Sequence, residues 1–248
     1  MNNESNAQPD SDPVQLIVDD MVRGGKPLRV LEAGAGDRSH VQVGPTAQVV
    51  GIDICKEQLD RNPTLVERIV GDIQTYPLEP SSFDIIFCWD VLEHLKHPER
   101  AVQNFLQALR EDGLLVIGSP MVNSVKGMIT KYTPEWFHVF VYKYLVGVKT
   151  AGEPSYGPFP TFMKYSMSPR SLQRLAREQR LSVEYFNVYE EKMQMRLKKK
   201  YWFINAAYRT MGPLVSVASL GHVDPKNTDF TIVMRKPATA GQRTAVAS

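Results

Sequence analysis

Residues 28–53, LRVLEAGAGDRSHVQVGPTAQVVGID, decide the fold. Leu28, Val30 and Leu31 form an apolar run broken only by Arg29, the pattern of a strand largely buried on both faces of a parallel sheet. The run ends at Glu32 and gives way to Gly34 and Gly36, where the backbone must turn sharply and can come close to a ligand. A second β-rich run, residues 48–52, then delivers Asp53. An acid about 20 residues past a glycine turn can hold a ribose diol with its carboxylate oxygens, so this spacing points to a nucleoside.

The third glycine of a dinucleotide fingerprint, G-x-G-x-x-G, would fall at position 39, which is Ser39. Acids instead flank the turn, Glu32 before it and Asp37 after it. Carboxylates there repel a pyrophosphate and suit a ligand with a cationic amino-acid end, which disfavours a nicotinamide oxidoreductase. Further along, residues 68–71 form a third short β run leading into Asp72 and Ile73. Phe83–Trp89, FDIIFCW, reads as a fourth buried strand and runs into Asp90-Val91-Leu92-Glu93-His94-Leu95. A helix is expected over 98–110, with Val102, Phe105, Leu106 and Leu109 at i, i+3, i+4 and i+7, ended by Asp112-Gly113. Residues 114–117 make a fifth strand that stops at Gly118-Ser119-Pro120.

Taken in order, E-x-G-x-G with a strand-end acid, GD, FDxIxxxDVLEHL and DGLLVIGSP resemble the class I S-adenosylmethionine-dependent methyltransferases of the type-11 group. The resemblance covers roughly residues 28–120 and extends more loosely to 236. It implies an α/β, Rossmann-like sheet, mostly parallel with the last strand antiparallel, helices on both faces and lid insertions. It implies S-adenosylmethionine as cofactor, with Glu32, Gly34, Gly36, Asp53, Ile54, Asp72, Ile73 and Asp90 as its contacts. In that family Asp53 would take the ribose and Asp72 the adenine amino group, with the following Ile73 packed on the ring. One departure is the connector over 38–47, which lacks a clean apolar helical face and contains Gly44-Pro45.

A chain of 248 residues suits one α/β domain with insertions. A formal net charge of +2 argues against a dedicated nucleic-acid binder. Cys55 and Cys88 sit in or beside apolar strands and read as small core residues in a reducing compartment. The N-terminus is acidic and polar, without the basic and apolar regions of a signal peptide, so a cytoplasmic protein is expected. The expected organisation is a tail over 1–12, one domain over 13–236 and a frayed tail over 237–248. Pro13–Arg23 is expected to be a helix stopped by Gly24-Gly25, Ser168-Pro169 to start another, and residues 182–189 and 228–234 to be strands.

Two segments do not fit the core plan: residues 123–164, rich in aromatics, and residues 190–226. Ligand clefts of open α/β sheets lie outside the strand carboxyl ends, so insertions there become lids and acceptor pockets. The expected acceptor is therefore a small apolar or aromatic molecule beside Met121, Met128 and the aromatics of 136–144. O-methylation is the first expectation; N-methylation, or cofactor binding without methyl transfer, are the alternatives. A hydroxyl acceptor profits from a base, and His94 and His138 are the candidates. Asp90, Glu93, His94 and a distant His138 resemble the metal pattern of small-RNA 2′-O-methyltransferases and ubiquinone-pathway O-methyltransferases. Asp90 is shorter than the Glu usual there, and LEHL is common without metal, so no metal is expected. Residues 192–221 combine a basic run with aromatics and an apolar end, which suits either a membrane surface or a pocket wall.

Overall fold

The computed structural model describes residues 12–39, 42–153 and 159–238. Among them, seven strands form one sheet: β1 (Arg29–Ala33), β2 (Gln48–Asp53), β3 (Glu67–Val70), β4 (Phe83–Trp89), β5 (Leu109–Pro120), β6 (Ser182–Tyr189) and β7 (Asp229–Arg235). Their order is β3-β2-β1-β4-β5-β7-β6. The pairs β1–β2, β1–β4, β2–β3 and β4–β5 are parallel, while β7 runs antiparallel to both β5 and β6. This is the mixed, Rossmann-like sheet that the sequence implies. The chain leaves β1 toward β2 on one side and later returns to β4 on the other, so the crevice opens between the ends of β1 and β4.

Both faces of the sheet are covered, which is why its central strands carry few polar residues. On one face Leu31, Ile52, Ile86 and Ile117 pack with Val102 and Phe105 of α3 (Pro98–Ala108) and with Leu172 of α6 (Pro169–Glu178). On the other, Val30, Val49, Phe87 and Val116 pack with Val14 and Val18 of α1 (Pro13–Arg23) and Leu59 of α2 (Lys56–Arg61). Alternate residues of β1 thus enter opposite cores, as a period of two requires.

Helix ends follow local chemistry. The Asp12 side chain accepts from Val14 N (3.0 Å) and Pro13 opens α1, so Asp12 belongs to the domain and not to the tail; residues 1–11 lie outside the described residues. Helix α3 stops at Ala108, two residues short of the expected end. Leu109 already pairs with Phe83, and Asp112 and Gly113 lie inside β5, where the register shifts and Asp112 adopts φ +60°. Cys88 is buried, but Cys55 is a half-exposed residue at the start of α2 whose thiol reaches Glu57, contrary to the core placement expected for both. Over 38–47 the described residues contain no helix, in keeping with Gly44-Pro45; His40 lies outside them.

The two insertions are helical. Residues 123–164 hold α4 (Val125–Tyr132), α5 (Glu135–Phe140) and a π-turn over Val141–Val146. Residues 190–226 hold α7 (Lys192–Lys200) and α8 (Trp202–Ala218), the latter running through Pro213.

Candidate active site

The glycine turn at the end of β1 is held from two sides. Gly34 N and Ala35 N both donate to Ile52 O (2.8 and 3.2 Å), which fastens the turn to β2. Gly34 and Gly36 have φ +72° and +52°, a left-handed conformation that costs a glycine little. A Cβ on Gly34 would lie 2.2 Å from Val91 Cγ2, so the turn also presses against the loop that follows β4. Asp53 closes the crevice: one carboxylate oxygen accepts from Gly36 N (3.1 Å), the other from Cys55 N (2.8 Å). Beside it the Ile54 side chain is 77% exposed.

The other candidate contacts are distributed around this turn. Glu32 is buried at the end of β1, and Ser39, in the place of a third glycine, donates to its Oε2 at 2.6 Å. Asp72 begins a tight turn after β3 and accepts from the backbone and side chain of Gln74 (2.8–3.0 Å). Ile73 is buried in the core that includes Ile52 and Leu92. Asp90 adopts φ +53° directly after β4 and anchors its N–H on Gly118 O (2.9 Å). The acids Glu32, Asp53, Asp72 and Asp90 thus lie at or just beyond the carboxyl ends of four parallel strands.

Past Asp90 a cavity of about 760 Å³ opens between the end of β4, the helices α4 and α5, and the helices α7 and α8. Trp89, Phe137, Val141, Met195 and Ile204 supply apolar wall, while Asp90, Glu93, His94 and His138 all line it. The structure therefore brings both candidate histidines to one cavity, together with Asp90 from among the expected cofactor contacts.

The two histidines are held differently. His94 Nδ1 lies 2.9 Å from the Pro160 carbonyl, and its ring meets Phe159 edge-on at 6.0 Å. A carbonyl can only accept, so Nδ1 carries the proton and Nε2 keeps a lone pair. That Nε2 is 3.9 Å from Glu93 Oε1. Burial lowers the His94 pKa against an opposing contribution from the Pro160 contact, so the ring is neutral near pH 7. His138 Nε2 lies 2.8 Å from Thr133 Oγ1, whose own hydrogen goes to Ile129 O (2.7 Å). The His138 ring must therefore donate through Nε2, and it ties α5 to the end of α4.

The loop that returns over the cavity is pinned by main-chain bonds. Phe162 N and Met163 N both donate to Glu93 O (2.7 and 3.1 Å), and Lys131 Nζ donates to Met163 O (2.7 Å). Glu93 itself is buried; Ser119 Oγ donates to its Oε2 (3.1 Å), and burial with the nearby Asp90 raises its pKa to about 8. Burial and Asp229 raise Asp90 to about 6.

One part of the cavity was not foreseen from the sequence. Lys126 on α4 is paired with Glu191 and lies 3.5 Å from Asp229 Oδ2. Burial alone would lower the Lys126 pKa, but Asp229 and Glu191 together raise it. These partners are 65 and 103 residues away in the chain, and no local spacing joins them. The available signal was a lysine in an apolar helix and an aspartate opening an otherwise apolar strand. Among the described residues, no three His, Cys, Asp or Glu side chains form a group able to hold a metal ion.

A mixed 3-2-1-4-5-7-6 sheet with a glycine turn and strand-end acids at its crevice is the arrangement of the class I S-adenosylmethionine-dependent methyltransferase fold. Residues 31–117 match the family model described as a methyltransferase domain. A ubiquinone biosynthesis O-methyltransferase from Glaesserella parasuis is 29% identical over 140 residues, 45% of this chain and 56% of that protein. An uncharacterized 37.1 kDa transposon protein from Streptomyces fradiae is 37% identical over 84 residues, 32% of this chain and 24% of its own length. The chain thus spans about half and about a quarter of these two curated relatives. A putative methyltransferase from Bacillus halodurans has a similar fold, with a TM-score of 0.53 at 13% identity over 90% of this chain and 99% of its own. So does the [4+2]-cyclase SpnF, with a TM-score of 0.50 at 14% identity over 91% and 81%.

Proposed function

We propose that the protein transfers a methyl group from S-adenosylmethionine to an oxygen of a small, largely apolar or aromatic molecule seated in the 760 Å³ cavity. The observation that carries this reading is His94: its Nδ1 is committed to the Pro160 carbonyl, so Nε2 is the proton acceptor at the cavity wall. The partial match to an O-methyltransferase supports oxygen as the acceptor atom.

The residues present fit the cofactor. Gly34 has no room for a Cβ, Asp53 offers a carboxylate beside the Gly36 amide, and Ile54 offers exposed apolar surface next to it. The surrounding carboxylates complement a ligand bearing sulfonium and ammonium charges. Bound there, S-adenosylmethionine supplies an electrophilic methyl group on a sulfonium. The chain's own part is to orient the acceptor in line, exclude water and take one proton. His94 Nε2 would take the proton that the acceptor hydroxyl gives up when its oxygen accepts the methyl group. In this reading His138 positions α5 against α4 and does not touch the reacting atoms.

The test is label transfer from methyl-labelled S-adenosylmethionine to panels of small phenols, alcohols and amines. Label should enter hydroxyl compounds, with an acid limb in kcat whose midpoint lies below the ordinary histidine value, because burial lowers His94. His94→Asn should remove that limb and lower kcat by roughly 10²–10⁴, the usual worth of a positioned base, while cofactor affinity stays within about two-fold. Label entering amines alone, or tight cofactor binding with no turnover of any acceptor, would refute the oxygen assignment.

A further inference from the structure

The helices that wall the cavity are apolar on their outer sides as well. On α5 and the π-turn, Phe137 and Val141 line the cavity, while Trp136, Phe140 and Tyr144 are exposed. On α8, Ile204 and Tyr208 line it, while Phe203, Met211, Leu214 and Val217 share an outward face at i, i+8, i+11 and i+14. Trp202 flanks that face with 79% of its surface exposed, and Leu220 just beyond the helix is 86% exposed. The two surfaces are continuous, since the Tyr201 hydroxyl donates to the Leu145 carbonyl at 3.3 Å.

The charge around this apolar face is one-sided. Residues 123–164 contain five lysines against two glutamates, and residues 190–226 contain seven basic against three acidic side chains. The insertions therefore hold a net charge of +7 in a chain whose total is +2. Lys143, Lys149, Arg196, Lys199, Lys200 and Arg209 are exposed on these helices and turns. A second soluble surface would need matching acids. A bilayer rich in anionic headgroups supplies negative charge and an apolar layer together, which is what aromatic and aliphatic side chains fringed by lysine and arginine engage. No described helix is long and apolar enough to cross a membrane, so the contact is with the surface.

We propose that the outer face of α5, the π-turn and α8 docks onto an anionic lipid bilayer. This goes beyond the proposed reaction and does not depend on which atom is methylated.

The test is flotation of the full chain with vesicles of phosphatidylcholine alone and with about 30 mol% phosphatidylglycerol. Anionic vesicles should hold the protein on the order of ten-fold more strongly, and raising the salt should release it. Trp202→Ser with Leu214→Ser, and separately Lys199→Glu with Lys200→Glu, should each lose most of that partition. Their thermal midpoints and cofactor affinity should stay near wild type, because none of these side chains enters the cavity or the glycine turn. Independently of any variant, wild-type tryptophan emission should shift to the blue on adding anionic vesicles and become shielded from an aqueous quencher. Equal partition of wild type and both variants, or no partition with an unchanged emission, would overturn the proposal. So would a dimer in light scattering that Trp202→Ser with Leu214→Ser dissolves while vesicles bind nothing, since the face would then join two copies of the chain.

Discussion

Gly34 and Gly25 allow the β1 turn to be weighed in energetic terms. Both glycines have φ +72°, but a Cβ on Gly25 would meet nothing within 4 Å, whereas one on Gly34 would lie 2.2 Å from Val91 Cγ2. Gly25→Ala should therefore cost only the left-handed backbone penalty, about 1–2 kcal/mol. Gly34→Ala incurs the same penalty plus overpacking against a β-branched side chain, itself about 1–3 kcal/mol, for a total of about 2–5 kcal/mol. Val91 cannot simply yield, because the backbone on either side of it is tied down by Asp90 N–Gly118 O and His94 N–Val91 O, both 2.9 Å. Truncating Val91 should relieve the clash, so Val91→Ala combined with Gly34→Ala should be less destabilising than the two single costs added together, by about 1–3 kcal/mol. Urea denaturation of the four variants measures this cycle. Calorimetry with S-adenosylmethionine adds a second readout, because moving the turn also moves the Gly36 amide away from Asp53. If Gly34→Ala is no more destabilising than Gly25→Ala, or Val91→Ala gives no relief, the turn does not lean on the loop after β4 and this description of the crevice is wrong.

Asp53→Ala should weaken S-adenosylmethionine binding by about 1.5–3 kcal/mol, the scale of hydrogen bonds to a charged group, and calorimetry showing an unchanged Kd would exclude Asp53 from the site. Glu93 provides a pH test. Its folded pKa of about 8 lies above the ordinary carboxyl value of 4.5, so between these limits the folded state binds more protons than the unfolded one. Stability should then fall as pH rises from about 5 to about 8, and Glu93→Gln should flatten that slope in thermal denaturation; a slope of opposite sign would mean the carboxylate is better paired than the structure shows.

The crevice side of the molecule was legible because its determinants are local. Two glycines with φ above zero, a strand-end acid 17 residues after Gly36 and the apolar runs of β1, β2, β4 and β5 lie within segments short enough to be read by spacing. Where reading failed, a local signal was shared by two structures. Leu109 sits at the i+7 position of a helical face and is equally well buried as the first residue of β5, so periodicity could not mark the boundary. Cys55 lies two residues past a buried strand, yet there it already opens α2 and is half-exposed.

The cavity side was not legible for a different reason. Its cavity is assembled from α4, α5, α7, α8 and the end of β4, and its lysine pairs across the chain, Lys126 with Glu191 and Asp229. None of these helices covers the sheet core, so their apolar residues show no single inward stripe; they divide between the cavity wall and the outer surface. A helix apolar on two sides reads from sequence as a poor core helix. In the structure it has two boundaries to satisfy, the cavity on one side and the exposed basic face on the other. The same division explains His94 and His138. Spacing could place either near the donor, but only the partner across 66 residues, the Pro160 carbonyl, and the partner across five, Thr133, decide which ring nitrogen carries a lone pair. Tautomer choice is a property of the packed loop over Glu93, and for that reason the proposal of His94 as base rests on the fold and not on the motif that contains it.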